Sequence, residues 1–256
     1  MRIVVKVGTS TIAYPTGNMN IRHMENLCKV LSDIKNAGNE VILVSSGAVA
    51  MGMGKLSLKN RPKLLSLKQA VASVGQCELM YTYDKLFSEH NHTVAQILLT
   101  ADDVNNKVRC KNYTNTINKL FELGVLPIIN ENDTVATSEL LIGDNDTLAA
   151  TVAKTVNADI LILLSDIDGL YTADPSKNKK AKLIKEIKEI TPDIEALAGG
   201  SGSKVGTGGM VTKINAAKIV NAAGCDMIIA NGKTPELLYD IIEGKSVGTR
   251  FLGVKK

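Results

Sequence analysis

Short runs of aliphatic residues alternate along this sequence with longer segments of helical periodicity. The runs 2–7 and 40–45 are rich in β-branched residues and stop at glycine or serine-glycine, which is typical of buried strands. Between them, residues 21–37 repeat apolar side chains at helical spacing, and Gly38 ends the segment. The same alternation predicts further strands at 93–99, 125–129, 159–164, 227–230 and 249–252, and further helices at 63–87, 112–123, 145–156, 212–223 and 235–242.

This βαβα order predicts an α/β protein. A central, mainly parallel sheet should lie between two layers of helices, as a three-layer αβα sandwich. The 256 residues are enough to bury one large core, in one domain or two lobes. Because Trp is absent and aromatic residues make up only 4%, that core should be aliphatic.

Composition excludes several classes of protein. The net charge of +4 is too small to indicate a nucleic-acid partner, although it suits anionic small molecules. The apolar runs are too short to span a bilayer, and Lys6 interrupts the first run too early for a signal peptide, so we expect a cytoplasmic protein. The four cysteines have no metal-ligand spacing, which indicates free buried thiols and no metal site. The basic run 177–185 is interpreted as a solvated surface segment.

Four predicted strands end in polar or glycine-rich sequences, at the positions where α/β folds keep their chemistry. These strand ends are Lys6-Val7-Gly8-Thr9-Ser10, Ser45-Ser46-Gly47-Ala48, Asn130-Glu131-Asn132-Asp133 and Ser165-Asp166-Ile167-Asp168-Gly169. Their occurrence together is a stronger signal than any one of them.

Two lysines occur in contexts that suit phosphate. The glycine-rich segment 202–213 contains neither a Walker A sequence nor a complete GxGxxG, yet its backbone amides and the following helix could hold an anion, with Lys213 as a point charge. The alternative is a flexible surface loop with a solvated lysine. Lys6 lies in an apolar strand and should reach a polar cleft, with the amides after Gly8 as a phosphate cradle. The alternative there is an edge-strand lysine that points to water.

The acidic and amide residues also have two interpretations. Asp144 is most simply a helix N-cap, whereas Asp146, one turn into the helix, would gain only a dipole contribution as a structural residue. Asn130, Asn132 and Asp133 could equally form an Asx turn. Considered together with the two lysines, however, these loops indicate phosphoryl transfer, which depends on charge neutralisation and alignment. A carboxylate acceptor is already ionised at neutral pH, so no general base is needed.

At this point the sequence resembles the amino acid kinase family, and within it the members that phosphorylate glutamate. The matching segments follow the family's order and cover almost the whole chain. They are 5–10, 44–50, 127–133, 143–146, 164–171 and 206–213. Ser45-Ser46-Gly47-Ala48 separates the chain from relatives that have a third glycine there, such as the acetylglutamate kinases.

The resemblance implies a role for each matched residue. Lys6 and Lys213 would stabilise the transferring phosphoryl group, with Asp146 holding both lysines. Glutamate would be bound by Ser46, Asp133 and Asn145. ATP would be bound by Lys6, Gly8, Ser165, Asp166, Thr207, Gly208, Gly209, Met210, Val211, Thr212 and Lys213.

The resemblance also implies partners and a division of the chain. Mg²⁺ would be held mainly through the ATP phosphates, residues 1–160 would form a glutamate lobe, and residues 161–256 an ATP lobe. Proline is expected as a feedback inhibitor, a homodimer or homotetramer as the assembly, and a reductase that consumes the glutamyl phosphate product as a functional neighbour. Many family members continue into a C-terminal PUA domain. This sequence stops at Lys256, so we expect a single kinase domain without it.

Two alternatives remain open in the sequence. One is a different kinase on the same fold. The other is a catalytically silent amino-acid or nucleotide sensor, which would be expected to lose one of the lysines or Asp146 while keeping the glycines.

Overall fold

The computed structural model describes residues 1–136, 144–199 and 209–254. Within these ranges, eight strands form one sheet in the order β3-β4-β2-β1-β5-β7-β8-β6. The strands are β1 (Arg2–Val7), β2 (Glu40–Ser45), β3 (Val94–Leu99), β4 (Leu126–Glu131), β5 (Ile160–Ser165), β6 (Glu186–Ile187), β7 (Asp226–Asn231) and β8 (Thr249–Phe251). Neighbouring strands pair in parallel except β7 and β8, which are antiparallel, so the predicted mainly parallel sheet is confirmed.

Ten helices in the described part of the chain cover the two faces of this sheet. They are α1 (Thr9–Ile12), α2 (Ile21–Asn36), α3 (Ala48–Lys55), α4 (Leu65–Ser88), α5 (Ala101–Asn105), α6 (Lys107–Glu122), α7 (Asn145–Thr155), α8 (Pro192–Gly199), α9 (Met210–Asn221) and α10 (Leu237–Ile242). Every helix predicted from periodicity is present, and every predicted strand starts and ends within two residues of its expected bounds.

The differences concern short elements and helix starts. Helix α6 begins at Lys107, five residues before the expected start, because the Asn106 side chain accepts from the amides of Val108 and Arg109 and so caps the helix earlier. Periodicity gave no signal for the short elements α1, α3, α5, α8 and β6. The expectation of buried thiols is correct for Cys28 and Cys225 and wrong for Cys77, which is exposed on α4.

The alternation of side chains along β1 decides where Lys6 points. Val4 belongs to the apolar cluster that also contains residues of α7 and α9, whereas Ile3 and Val5 belong to the cluster on the other face of the sheet. Lys6 lies two residues after Val4 and therefore on the same face. The sheet thus directs its lysine toward α7 and α9.

The parallel strands bring their carboxyl ends to one edge. Val7 pairs with Ser45 on one side and with Leu164 on the other, and Leu99 of β3 pairs with Glu131 of β4. As a result, the four polar sequences singled out above start from the same edge of the sheet. No helix in the described ranges is long and apolar enough to cross a membrane.

Candidate active site

Three charged side chains meet above the end of β1. Lys6 Nζ lies 2.7 Å from Asp146 Oδ1, and Lys213 Nζ lies 3.0 Å from Asp146 Oδ2. The side chains are 11% exposed for Lys6, 5% for Lys213 and fully buried for Asp146. The alternatives of a solvent-facing Lys6 and a solvated Lys213 are therefore wrong.

The two ammonium groups determine the charge of Asp146. Burial alone raises the pKa of a carboxyl, but the positive charges of Lys6 and Lys213 outweigh burial here, and the pKa of Asp146 is lowered below its ordinary value. The group is an anion at neutral pH and does not act as a proton acceptor in that range. The cluster carries a net charge of +1, which suits an incoming anion.

Helix caps place Asp146. Asp144 Oδ1 accepts from the Thr147 amide at 2.8 Å, so Asp144 is the N-cap that the sequence indicates, and its cap fixes the first turn of α7. Burial raises the pKa of Asp144, an effect that this hydrogen bond opposes. From α9, Thr212 Oγ1 donates to Asp146 Oδ2 at 3.0 Å, and this contact adds a third partner for the carboxylate.

A second cluster is built from amides. Asn145 Nδ2 lies 3.0 Å from the Ser45 carbonyl, 2.7 Å from Ser46 Oγ and 3.0 Å from Asn130 Oδ1. Asn130 also accepts from the Glu131 amide at 2.9 Å and donates to Gln76 Oε1 at 2.8 Å. These bonds connect β2, β4, α4 and α7, so the predicted residues Ser46 and Asn145 are brought together.

Asp133 lies in the turn that follows β4. The amides of Val135 and Ala136 donate to the Asn132 carbonyl, which closes this turn. Burial raises the pKa of the Asp133 carboxyl, and the positive charge of Lys68 partly opposes that rise. Asp133 is thus a part-buried carboxylate near Lys68, in the turn directly after the strand that contains Asn130.

Gly8 lies beside Lys6, and the predicted residues Ser165 and Asp166 lie at the end of the neighbouring strand β5. A side chain at Gly8 would begin 3.8 Å from Lys6 Nζ, so the Gly8 backbone lies beside the ammonium. Ser165 ends β5, the strand adjacent to β1, and its hydroxyl donates to Asp166 Oδ1 at 3.1 Å.

The glycine loop is only partly within the described residues. Gly209 precedes α9 as its N-cap residue, followed by the buried Met210 and the exposed Val211. Thr207 and Gly208 lie outside the described residues, as does Gly143.

Sequence reasoning missed Gln76 and the Thr212 contact with Asp146. Gln76 lies within the long α4 helix, where a polar residue at one helical position carries no sign of its tertiary partner. The resemblance assigns Thr212 to ATP, and nothing in its spacing indicates a bond to Asp146.

The sequence profile of the amino acid kinase family matches residues 1–231. The chain belongs to the amino acid kinase family. Curated relatives match it along its length. A glutamate 5-kinase from Clostridium perfringens is 54% identical in an alignment of 258 positions, which covers 99% of this chain and 96% of that protein. A glutamate 5-kinase from Listeria innocua is 52% identical in an alignment of 259 positions, which covers 100% of this chain and 94% of that protein.

Solved structures agree on the fold of this amino acid kinase. A carbamate kinase from Giardia lamblia bound to AMP-PNP superposes with a TM-score of 0.67 at 19% identity, covering 98% of each chain. A UMP kinase from Bacillus anthracis superposes with a TM-score of 0.66 at 15% identity, covering 99% of this chain and 96% of that one. At these identities the likeness shows the fold alone.

The geometry of this amino acid kinase favours reactions that move a charged group without acid–base catalysis. Two buried ammonium groups are preorganised by one carboxylate, and glycine backbone lies next to them. Such an arrangement is suited to binding anionic oxygens and to stabilising charge that develops during transfer.

Proposed function

We propose that this chain transfers the γ-phosphoryl group of ATP to the side-chain carboxylate of L-glutamate, giving L-glutamyl 5-phosphate, the first step of proline biosynthesis. The observation that carries phosphoryl transfer is the buried cluster of Lys6, Asp146 and Lys213. Glutamate as the acceptor is supported by the glutamate 5-kinases that are more than half identical over nearly the full chain.

The two lysines act on the transferring group. Lys6 Nζ and Lys213 Nζ are held by opposite oxygens of Asp146, so they converge on one region from β1 and α9. There they neutralise the phosphoryl oxygens and offset the repulsion between the anionic donor and the anionic acceptor. Asp146 is the positioning residue of this pair, because its carboxylate holds both ammonium groups in place.

Glutamate is bound by Ser46, Asn145 and Asp133. The free amino acid has one ammonium and two carboxylates. The Asp133 carboxylate and the Asn145 carbonyl oxygen complement the ammonium, and the Ser46 hydroxyl is a donor for a carboxylate.

ATP is bound by Gly8, Ser165, Asp166 and the loop 207–213. Mg²⁺ fits this site as an ion held mainly by phosphate oxygens and water, since the described residues contain no cluster of three or more acidic, His or Cys ligands. Both oxygens of Asp146 are already engaged by ammonium groups, so Asp146 is not a metal ligand. When bound, the ion would neutralise charge on the phosphates.

The same proposal assigns the two substrates to two lobes and includes the location, assembly and regulation of the protein. Residues 1–160 form the glutamate lobe and residues 161–256 the ATP lobe. The protein works in the cytoplasm as a homodimer or homotetramer, is inhibited by proline, and passes its unstable acyl phosphate to a reductase.

Substrate choice tests the proposed reaction. With ATP and Mg²⁺, and with hydroxylamine to trap the acyl phosphate, we expect hydroxamate formation from L-glutamate and little from aspartate or N-acetylglutamate. We also expect little ATP consumption with UMP. Aspartate loses one methylene and cannot place its carboxylate at the lysines while its ammonium stays at Asp133. Equal rates on aspartate and glutamate would contradict the assigned specificity.

The acid side of the pH profile tests Asp133. Because burial raises its pKa, this carboxyl takes up a proton at a higher pH than an ordinary aspartate, and a neutral acid no longer attracts the ammonium of glutamate. We therefore expect KM for glutamate to rise as the pH is lowered from neutral. Lys68 opposes the raised pKa, so Lys68→Met should move this rise in KM to a higher pH.

The matched control is Lys63→Met, which removes an exposed lysine near the start of the same helix and should leave the profile in place. If Lys68→Met gives a wild-type acid limb, Asp133 is not the group that titrates.

A further inference from the structure

Backbone groups fix the orientation of two side-chain amides beside the strand ends. The Glu131 amide can only donate, so the Asn130 atom 2.9 Å away is the acceptor Oδ1. The Ser45 carbonyl can only accept, so the Asn145 atom 3.0 Å away is Nδ2. Reversing either side-chain amide would place a donor against a donor or an acceptor against an acceptor.

These orientations make Gln76 the acceptor for the Asn130 side-chain NH2 group. With Oδ1 turned toward Glu131 and Asn145, the Nδ2 group of Asn130 faces α4 and donates to Gln76 Oε1 at 2.8 Å. Asn130 is only 2% exposed, so bulk water does not readily replace this acceptor. Gln76 thus holds the far end of the Asn130 amide.

Asn130 in turn holds Asn145. The two hydrogens of Asn145 Nδ2 are shared among three acceptors, at 3.0 Å for the Ser45 carbonyl, 2.7 Å for Ser46 Oγ and 3.0 Å for Asn130 Oδ1. With Nδ2 committed to the protein, Oδ1 lies on the opposite side of the amide. Asn145 therefore offers its substrate an acceptor, which suits an ammonium group.

Close packing between helices fixes the backbone that carries Gln76. A Cβ atom at Gly75, the residue before it, would lie 1.7 Å from the Ala48 carbonyl oxygen, and one at Gly52 would lie 1.9 Å from the Val71 carbonyl oxygen. Backbone therefore packs directly on backbone between α3 and α4. The same contact connects the helix that carries Gln76 to the helix that starts directly after Ser46 and Gly47.

We propose that Gln76 is a positioning residue for glutamate: through Asn130 it keeps the Asn145 carbonyl oxygen turned toward the substrate ammonium. The proposal rests on the proposed function, in which Asn145 binds glutamate. Gln76 touches neither the lysines nor the residues assigned to ATP in any described contact, so its influence should be confined to the amino acid.

Kinetics of the full chain with two substitutions test this role. Gln76→Met keeps the approximate shape and loses the acceptor, so KM for glutamate should rise about tenfold while kcat and KM for ATP stay within about threefold. Gln76→Glu keeps an acceptor at the same reach, so its KM for glutamate should stay within about threefold of wild type. In an Asn145→Ala background, Gln76→Met should add no further increase.

Ser73→Ala is the matched control, since Ser73 is an exposed residue of α4 whose hydroxyl bonds only within its own helix in the described structure. Thermal melting of each variant separates positioning from folding. A wild-type KM for glutamate in Gln76→Met, or a Glu variant as impaired as the Met variant, would overturn the role of Gln76. If Gln76→Met does not fold, Gln76→Ala carries the same expectation. Absence of glutamate turnover in the wild type would overturn both the proposed function and the role of Gln76. Normal wild-type turnover, with an unchanged KM for glutamate in Gln76→Met, would overturn only the role of Gln76.

Discussion

Replacing Asp146 with Asn should lower kcat at least tenfold while the protein stays folded enough to bind ATP. The substitution keeps the shape and one acceptor oxygen but removes the charge that holds Lys6 and Lys213 at 2.7 and 3.0 Å. Two largely buried ammonium groups would then face each other without a counter-charge. Their mutual repulsion should move at least one of them out of place, and the transferring phosphoryl group would lose that charge. A loss of only about 1.4 kcal/mol of transition-state stabilisation already produces a tenfold effect.

The same substitution should also lower stability. Breaking a buried ion pair by removing one partner typically costs about 3–5 kcal/mol, because the remaining charge stays buried and unpaired. The pKa of Asp146 is lowered, so its stabilising contribution is present at neutral pH and is lost as the pH falls through the lowered value. The Asn variant should therefore show a smaller loss of stability on acidification than the wild type.

The hydroxamate assay and thermal melting measure both effects. Asp240→Asn is the matched control, because it makes the same chemical change in an exposed pair with Lys245, where ion pairs contribute little. Near-normal kcat in Asp146→Asn, with the control also near normal, would show that the lysines do not depend on this carboxylate.

Much of this architecture could be predicted because local signals and tertiary structure agree. β1 ends where its β-branched run meets Gly8, and α2 ends at Asn36, two residues before Gly38. Glycine interrupts both patterns close to the position where the element stops. The strand-end rule also predicts that the segments with Ser46 and Asn130, which follow or end predicted strands, carry the chemistry of the fold. The paired arrangement of Lys6 and Lys213 on Asp146 came only from the family resemblance. Their spacing along the chain does not say that β1, α7 and α9 meet.

The features that could not be predicted depend on contacts between distant segments. Helix α3 follows Gly47, which adopts φ of 100°, and it starts where periodicity gives no helix signal. Gln76 accepts from Asn130, 54 residues away, and helical periodicity carries no information about this partner. Resemblance did not find it either, because the motifs of the family lie at strand ends and in loops.

Gly75→Ala should be the most destabilising single-methyl change in this part of the fold. A Cβ atom there would lie 1.7 Å from the Ala48 carbonyl oxygen and 2.4 Å from the Gly52 amide nitrogen, and both are backbone atoms that cannot rotate away. Helices α3 and α4 would have to separate. Overpacking in a tight core typically costs about 1–3 kcal/mol and occasionally more. We expect a loss at or above the upper end of that range, and a fall in Tm of about 6–12 °C for a chain of this size.

The helix preference of alanine works in the opposite direction and makes the test sharper. Alanine favours a helix interior over glycine by about 1 kcal/mol, so a site without steric conflict would gain stability from this change. Ser73→Ala, on an exposed position of the same helix, should change stability by no more than about 0.5 kcal/mol. Thermal melting distinguishes these outcomes, and a stabilised Gly75→Ala would refute backbone contact between α3 and α4. Because α3 starts shortly after Ser46 and α4 carries Gln76, separation of the helices should also raise KM for glutamate. The position of Lys213 should change less, because α9 packs on the other face of the sheet.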